Sequence, residues 1–172
     1  MRDIIITRLE AAGAAGRIGP EEEGFLALPG GEVLTLLPGD VLPALPGARL
    51  IAVAVGAGRR VDAGAGGVPL PGGGALGGWA SFRCELLSPR RFVARHLEAL
   101  LEGRDPEALL TLRLREALES GFAACAGNRA ALWGECRRRA ADALLDAGWQ
   151  LTGFRPMHLE PLPMEVSSCR TK

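Results

Sequence analysis

The sequence has six cysteine and histidine side chains, which are types that serve as nucleophiles, general bases or metal ligands. They are Cys84, Cys125, Cys136, Cys169, His96 and His158. The cysteines form no CxxC motif, and no pair among the six has the spacing of a structural zinc site, so we predict no metal. A cysteine nucleophile needs a base close in space. Either histidine could approach Cys84 in a folded sheet, which leaves a small Cys/His-dependent hydrolase open as an alternative function.

The pattern around three of the cysteines favours packing over reactivity. Cys84 lies on the predicted buried face of a strand, and Cys125 and Cys136 lie on the apolar stripes of two helices, where cysteine behaves as a small hydrophobe. Cys169 is the exception, because it lies in a predicted tail and could be a reactive or lipidated thiol. The ending Cys-Arg-Thr-Lys fits no prenylation signal. Four cysteines without the density of a disulfide scaffold favour a reduced, cytoplasmic compartment.

Charge and glycine content exclude two further classes of function. The chain has 20 basic and 20 acidic residues, which argues against a nucleic-acid binder, since such proteins need surplus Lys and Arg. The Gly-rich stretch 63–78 has neither the P-loop spacing nor a GxGxxG motif, so we predict no nucleotide cofactor. We expect this stretch to be a mobile loop with short strands near 68–70. In the hydrolase alternative it would form a lid.

Paired carboxylates and basic clusters are predicted to lie on solvated helix faces. Asp142 is expected to pair with Arg138, and Asp146 with Arg138 or Arg139. No carboxylate is assigned a catalytic role. The basic groups at 90–95 and 137–139 are interpreted as solvated surface, with contact to an acidic partner or to anionic lipid headgroups as the alternative. The longest apolar run near the N-terminus, residues 4–6, is too short for a membrane span.

The element that organises the chain is a strand over residues 79–87. Apolar residues alternate there with polar ones, which is typical of a strand with one buried face. Ser88 is a good N-cap and Pro89 suits the first helical position, so a helix follows.

Earlier segments predict a β-hairpin over 24–37 and a central strand over 49–55. Later ones predict helices starting after Asp105 and Asn128, a positive φ at Gly148, and a last strand from Trp149. The fold class is therefore α+β.

In this order, the segments resemble the SPFH, or band-seven, family (stomatin, prohibitin, flotillin, HflK/C). Five features carry the resemblance. They are residues 23–28 with Gly30-Gly31-Glu32, the turn Leu37-Pro38-Gly39, the strand 79–86 followed by Ser88-Pro89-x-x-Phe92, the segment 144–151 after the third helix, and the last strand 154–159. The chain is most similar to the bacterial branch that lacks a membrane span. It departs from the family pattern in the stretch 63–78 and in lacking a long coiled coil.

The resemblance implies a mainly antiparallel, curved sheet with helices packed on one side. It divides the chain into a lead-in (1–20), an SPFH-like domain (21–162) and a flexible tail (163–172). It also implies a non-enzymatic scaffold that forms homo-oligomers and organises a protein or membrane partner, without catalytic residues or cofactors. The surfaces expected to associate are the polar face of helix 128–147 and the hairpin 24–37. Peripheral contact with the inner face of a membrane, and a role as regulatory subunit of a protease or secretion component, stay open.

Overall fold

The computed structural model describes residues 6–11, 16–56, 58–70, 73–125 and 128–162, and it confirms the α+β class. Its elements, in chain order, are β1 (Ile6–Ala11), β2 (Glu22–Ala27), β3 (Val33–Leu36), β4 (Arg49–Ala54), β5 (Gly58–Pro69), β6 (Ala75–Leu86), α1 (Pro89–Leu101), α2 (Pro106–Ala124), α3 (Arg129–Asp146) and β7 (Trp149–Leu162). The strands form two antiparallel sheets, where the sequence had suggested one curved sheet. The predicted tail lies outside the described residues.

The first sheet has the strand order β1-β4-β2-β3. The predicted hairpin is confirmed: β2 and β3 pair through a turn in which Gly31 has a φ of +86°. The predicted strand over 49–55 is confirmed as β4, which lies between β1 and β2 and is almost wholly buried. Because β1 pairs with β4, residues 6–11 of the lead-in are part of this sheet.

The second sheet has the order β5-β6-β7, with the predicted organising strand at its centre. The prediction of a mobile loop over 63–78 is wrong, because most of this stretch forms the two arms of the β5–β6 hairpin. The glycines are compatible with these strands because neighbouring side chains need the space that a larger residue would fill. A Cβ at Gly64 would lie 2.6 Å from the ring of Trp79, so the ring packs where a side chain would otherwise be. Gly67, with a φ of +72°, lies where the register shifts.

All three predicted N-caps are confirmed. The side chains of Ser88, Asp105 and Asn128 each accept a hydrogen bond from a backbone N–H in the first turn of their helix. Helices α2 and α3 pack on one face of the second sheet, and α1 reaches β2 and β4 of the first. One hydrophobic core therefore joins both sheets and the helices. In the described part of the chain, no helix is long and apolar enough to cross a membrane.

The turn at Gly148 connects α3 to β7 and also holds the start of α1. Its carbonyl oxygen accepts hydrogen bonds from the N–H groups of Leu87 and Ser88, at 3.0 and 2.9 Å. Its φ is +83°, as the sequence predicted. A Cβ at this position would lie 2.5 Å from the Ser88 carbonyl oxygen, so only glycine fits.

We expect the substitution Gly148→Ala to lower the free energy of unfolding by about 2 to 5 kcal/mol, because it adds a backbone clash to the cost of a positive φ. Gly103→Ala is the matched control. Gly103 also follows a helix and has a φ of +79°, but no atom lies within 4 Å of its added Cβ. Its cost should be about 1 to 2 kcal/mol. Urea unfolding of both variants measures the difference, and equal losses would contradict this account of the turn.

Candidate functional site

Cys84 is part of the hydrophobic core. It lies on the inner face of β6 and is 1 % exposed. Burial without a charged partner raises the pKa of its thiol to about 12. The thiol is therefore almost entirely protonated at neutral pH, and the thiolate is the form that acts as a nucleophile.

Cys136 is equally enclosed, where α3 packs against α2. A Cβ added to Gly121 would lie 2.6 Å from the Cys136 sulfur, so the small glycine makes room for the thiol. Burial, followed by the influence of Cys125 and Glu135, raises the Cys136 pKa to about 12. Cys125 is half-buried against the same core. The packing roles predicted for these cysteines agree with their positions, whereas Cys169 lies outside the described residues.

The two histidines lie in different environments. The imidazole of His96, on α1, packs against the ring of Phe92 with centroids 5.2 Å apart. Its pKa is lowered by burial first, and then by the positive charges of Arg113 and Arg95. His158 is exposed on β7, where its Nε2 lies 3.6 Å from a carboxylate oxygen of Glu160.

The structure does not bring these groups together. His158 pairs in register with Trp79, whose side chain is exposed, while Cys84 points into the core from the same sheet. Cys84 borders a surface cavity near Gly58, and His96 borders another along α1; the two cavities share no residue. Among the described residues, no group of three or more His, Cys, Asp or Glu side chains is placed to hold a metal ion.

Ion pairs join most of the charges on the polar face of α3. Arg138 pairs with both Glu135, at 2.6 Å, and Asp142, at 2.9 Å, which confirms the predicted Asp142 pair. Arg139 pairs with Glu135 and also donates to Ser120 on α2. Hydrogen bonds from these two arginines lower the pKa of Glu135 to about 2. This face therefore balances its own charges and offers few of them to a partner.

The predicted pairing of Asp146 is wrong. Asp146 forms its ion pair with Arg95 of α1, at 3.1 Å, and not with Arg138 or Arg139 on its own helix. Arg91, also on α1, donates to the Leu145 carbonyl at 3.2 Å. The basic group at 90–95 thus contacts the C-terminal end of α3, where the helix dipole favours positive charge. Two of its three arginines, Arg91 and Arg95, therefore contact α3 from α1.

Two features of the surface were not apparent from the sequence. One is the edge of the first sheet at β3, where Leu34, Leu37 and Val41 are exposed. The other is the helix-free face of the second sheet, where arginines from three strands and Trp79 lie side by side. The alternation of exposed residues on β6 was visible in the sequence. The register that places β5 and β7 beside it was not.

Chemical labelling tests the burial of the thiols. In the native protein we expect Cys84 and Cys136 to react with a thiol reagent at least about a thousandfold more slowly than in urea, because both are protonated and enclosed. Half-buried Cys125 is the internal comparison and should react faster than either. Peptide mass spectrometry identifies the labelled sites. Rapid native labelling of Cys84 would favour the hydrolase alternative instead.

The His96 environment predicts a loss of stability in mild acid. Since the folded state lowers the His96 pKa, the unfolded chain binds the proton first as the pH falls through about 6.5, and stability decreases. The substitution His96→Gln should flatten this dependence between about pH 7 and 5, whereas His158→Gln should retain it. Urea unfolding across this range measures both. Parallel curves for the wild type and His96→Gln would show that His96 is not responsible.

Comparison with known proteins adds no assignment. A scan against models of protein families gives no match to this chain, and a search of curated proteins finds no matching sequence. The resemblance to the SPFH family therefore stays a prediction from the five sequence features described above.

Proposed function

We propose that this chain is a non-enzymatic scaffolding or protein-interaction domain of the SPFH type, which associates with copies of itself and organises a protein or membrane partner. The order of elements supports the proposal, with early strands, three helices and a last strand that returns to the second sheet. The protonated, enclosed state of Cys84 also favours contact over catalysis.

The observation that carries the proposal is the free edge at β3. This strand pairs with β2 on one side, and no other strand of the described chain pairs with it on the other. Its backbone N–H and C=O groups on that side are available to a further strand. Proteins protect such an edge with charged side chains, with proline or by keeping the strand short, and of these β3 has only its length of four residues. Here β3 has the sequence Val-Leu-Thr-Leu and carries no charge.

Exposed apolar side chains lie on this strand and in the segment that follows it. Leu34 is 36 % exposed, and in the segment after β3 Leu37 is 60 % and Val41 59 % exposed. Hydrogen bonds fix that segment: the Leu37 N–H donates to Asp40, at 2.7 Å, and the Asp40 carbonyl accepts from Ile18, at 3.0 Å. The apolar side chains are thus presented on an ordered backbone, which lowers the entropic cost of binding.

Strand addition is the form of contact that this edge favours. A second copy would supply the missing hydrogen bonds, and the leucines would be buried between the copies. The formal net charge of zero means that long-range repulsion between copies is weak. An edge that pairs with the same edge closes as a dimer, whereas an edge that contacts a different surface builds larger assemblies.

Light scattering coupled to size-exclusion chromatography tests the proposal. We expect the mass to rise with protein concentration, and the double substitution Leu34→Lys, Leu37→Asp to lower the association constant at least about tenfold, because it places charges at an apolar contact. Leu112→Asp is the matched control, since Leu112 is 52 % exposed but lies on α2. It should associate like the wild type.

Two results would overturn the proposal. One is a strict monomer at every concentration up to the solubility limit. The other is an equal loss of association in the β3 variant and in Leu112→Asp, which would show that the edge has no special role. Circular dichroism of each variant establishes that the fold is retained, so a lost association can be attributed to the surface.

A further inference from the structure

The exposed face of the second sheet carries an arginine on each of its three strands. Arg60 on β5 lies directly opposite Arg83 on β6, and Arg155 on β7 lies opposite Ser81 on β6. All three arginines are exposed. Residues directly opposite in an antiparallel pair have Cβ atoms about 5 Å apart. The register therefore gathers three positive charges within a few residues of one another.

These arginines border an open depression of about 270 Å³. Its lining consists of Arg60, Ser81, Arg83, Thr152, Gly153, Phe154 and Arg155, and it includes no Asp or Glu. Ser81 is only 6 % exposed and its hydroxyl accepts from Arg60, while the Thr152 hydroxyl donates to the Arg83 carbonyl at 3.1 Å. The Arg83 side chain lies against Gly153, where an added Cβ would meet it at 3.2 Å. The charge of the three guanidinium groups is therefore what the site offers to a ligand.

The structure compensates only part of this charge. Arg60 Nε donates to Ser81 Oγ at 2.9 Å and lies 3.7 Å from a carboxylate oxygen of Asp62. Arg83 and Arg155 form no ion pair with the residues that the structure describes. Two carboxylates lie near the arginines: Asp62 is opposite Ser81, in the row of Arg155, and Glu85 borders a neighbouring cavity together with Arg60 and Arg83. Like charges directly opposite each other on paired strands are destabilising, so an anion bound here would relieve an unfavourable contact.

An aromatic side chain extends the same face beyond the arginines. Trp79 is 54 % exposed, and its ring lies over Gly64 of β5. Counting from Trp79, Ser81 and Arg83 follow at every second residue of β6, so the rows of this face are about 6.6 Å apart. Trp79 and Arg83 are thus separated by about 13 Å. Trp and Arg are the residue types that most often dominate the energy of protein contacts.

We infer that this face binds an extended acidic segment of a partner protein. In an extended peptide, side chains on the same face are spaced about 6.6 Å apart, which matches the spacing of the rows on the sheet. Two carboxylates at alternate positions of the peptide would lie over two neighbouring rows of the sheet, the first with Arg155 and Ser81 and the second with Arg60 and Arg83. Guanidinium groups can bind such carboxylates in a bidentate manner. An apolar side chain two positions further would cover Trp79.

The geometry favours a peptide over a small anion. The depression is open and shallow, so it does not enclose and desolvate a single phosphate, and a free anion would leave Trp79 without a contact. The site also lies on a different sheet from the β3 edge. Peptide binding and self-association can therefore succeed or fail independently, and the inference goes beyond the scaffolding role proposed above by naming the chemistry of the partner.

Fluorescence anisotropy with a labelled peptide tests the inference. The peptide Leu-Ser-Glu-Ser-Glu-Ser-Leu reads the same in both directions, so it presents the required pattern whichever way it lies. We expect it to bind the full chain at about 50 mM salt and to bind at least about fivefold more weakly at about 300 mM, because the contacts are partly exposed ion pairs. The same peptide with glutamine in place of both glutamates should not bind.

Variants of the chain then assign the contacts. Arg83→Gln and Arg155→Gln should each weaken binding about fivefold or more, and Trp79→Ala should weaken binding of this peptide but not of one with serine in place of leucine. Arg137→Gln, an exposed arginine on α3, is the matched control and should bind like the wild type. Arg83→Gln should also leave the free energy of unfolding unchanged or raise it, since it removes a like-charge pair.

Three outcomes would overturn the inference. The first is no binding at peptide concentrations up to about 2 mM, a range that covers weak protein contacts. The second is equal binding to the wild type and the Arg83→Gln, Arg155→Gln double variant. The third is competition, in which inorganic phosphate or vesicles of anionic lipid displace the peptide at concentrations well below its own dissociation constant. That result would assign the site to phosphate or to a membrane.

Discussion

The hydrogen bonds to the Gly148 carbonyl connect two strand–helix junctions that are far apart in the sequence. On one side β6 ends and α1 begins at Ser88, and on the other α3 ends and β7 begins at Trp149. Phe92 and Trp149 meet edge to face directly beside them, with ring centroids 5.7 Å apart. This contact sets where β7 starts and which of its first residues pair with the end of β6, with Trp149 opposite Leu86. Two register shifts then adjust the rest of the β6–β7 pairing, while β5 pairs with β6 as a separate hairpin.

Much of the fold could be predicted because its signals are local. A cap such as Asn128 acts through a side chain and the next few N–H groups, and an apolar stripe is a property of one helix. The division into two sheets has no such local signal, because it depends on pairing between strands that are far apart in the sequence. The glycines of the stretch 63–78 led to the wrong prediction of a loop, because their effect also depends on distant residues. In isolation Gly64 and Gly78 discourage a strand, but packing reverses the effect where a neighbour such as the Trp79 ring fills the space.

The chemistry of the site was also predictable only where it depends on local sequence. That Cys84 would be buried followed from alternation along one strand, and its high pKa follows from burial. The pairing of Asp146 with Arg95 could not be read from helix spacing, because its partner belongs to another helix. The array of arginines is likewise a product of register. Arg60, Arg83 and Arg155 are unremarkable along the chain and become a group only when three strands align.

The two proposed surfaces differ in the interaction that remains unsatisfied. At β3 one side of an edge strand is unpaired within the described chain and three apolar side chains are exposed, so hydrophobic burial and strand pairing would drive contact. On the second sheet Arg83 and Arg155 form no ion pair within the described chain, so charge would drive contact there. Salt screens the second interaction but not the first. Under the two proposals the domain would associate with its own copies through one sheet and receive an acidic partner on the other, and ionic strength would change only the second contact.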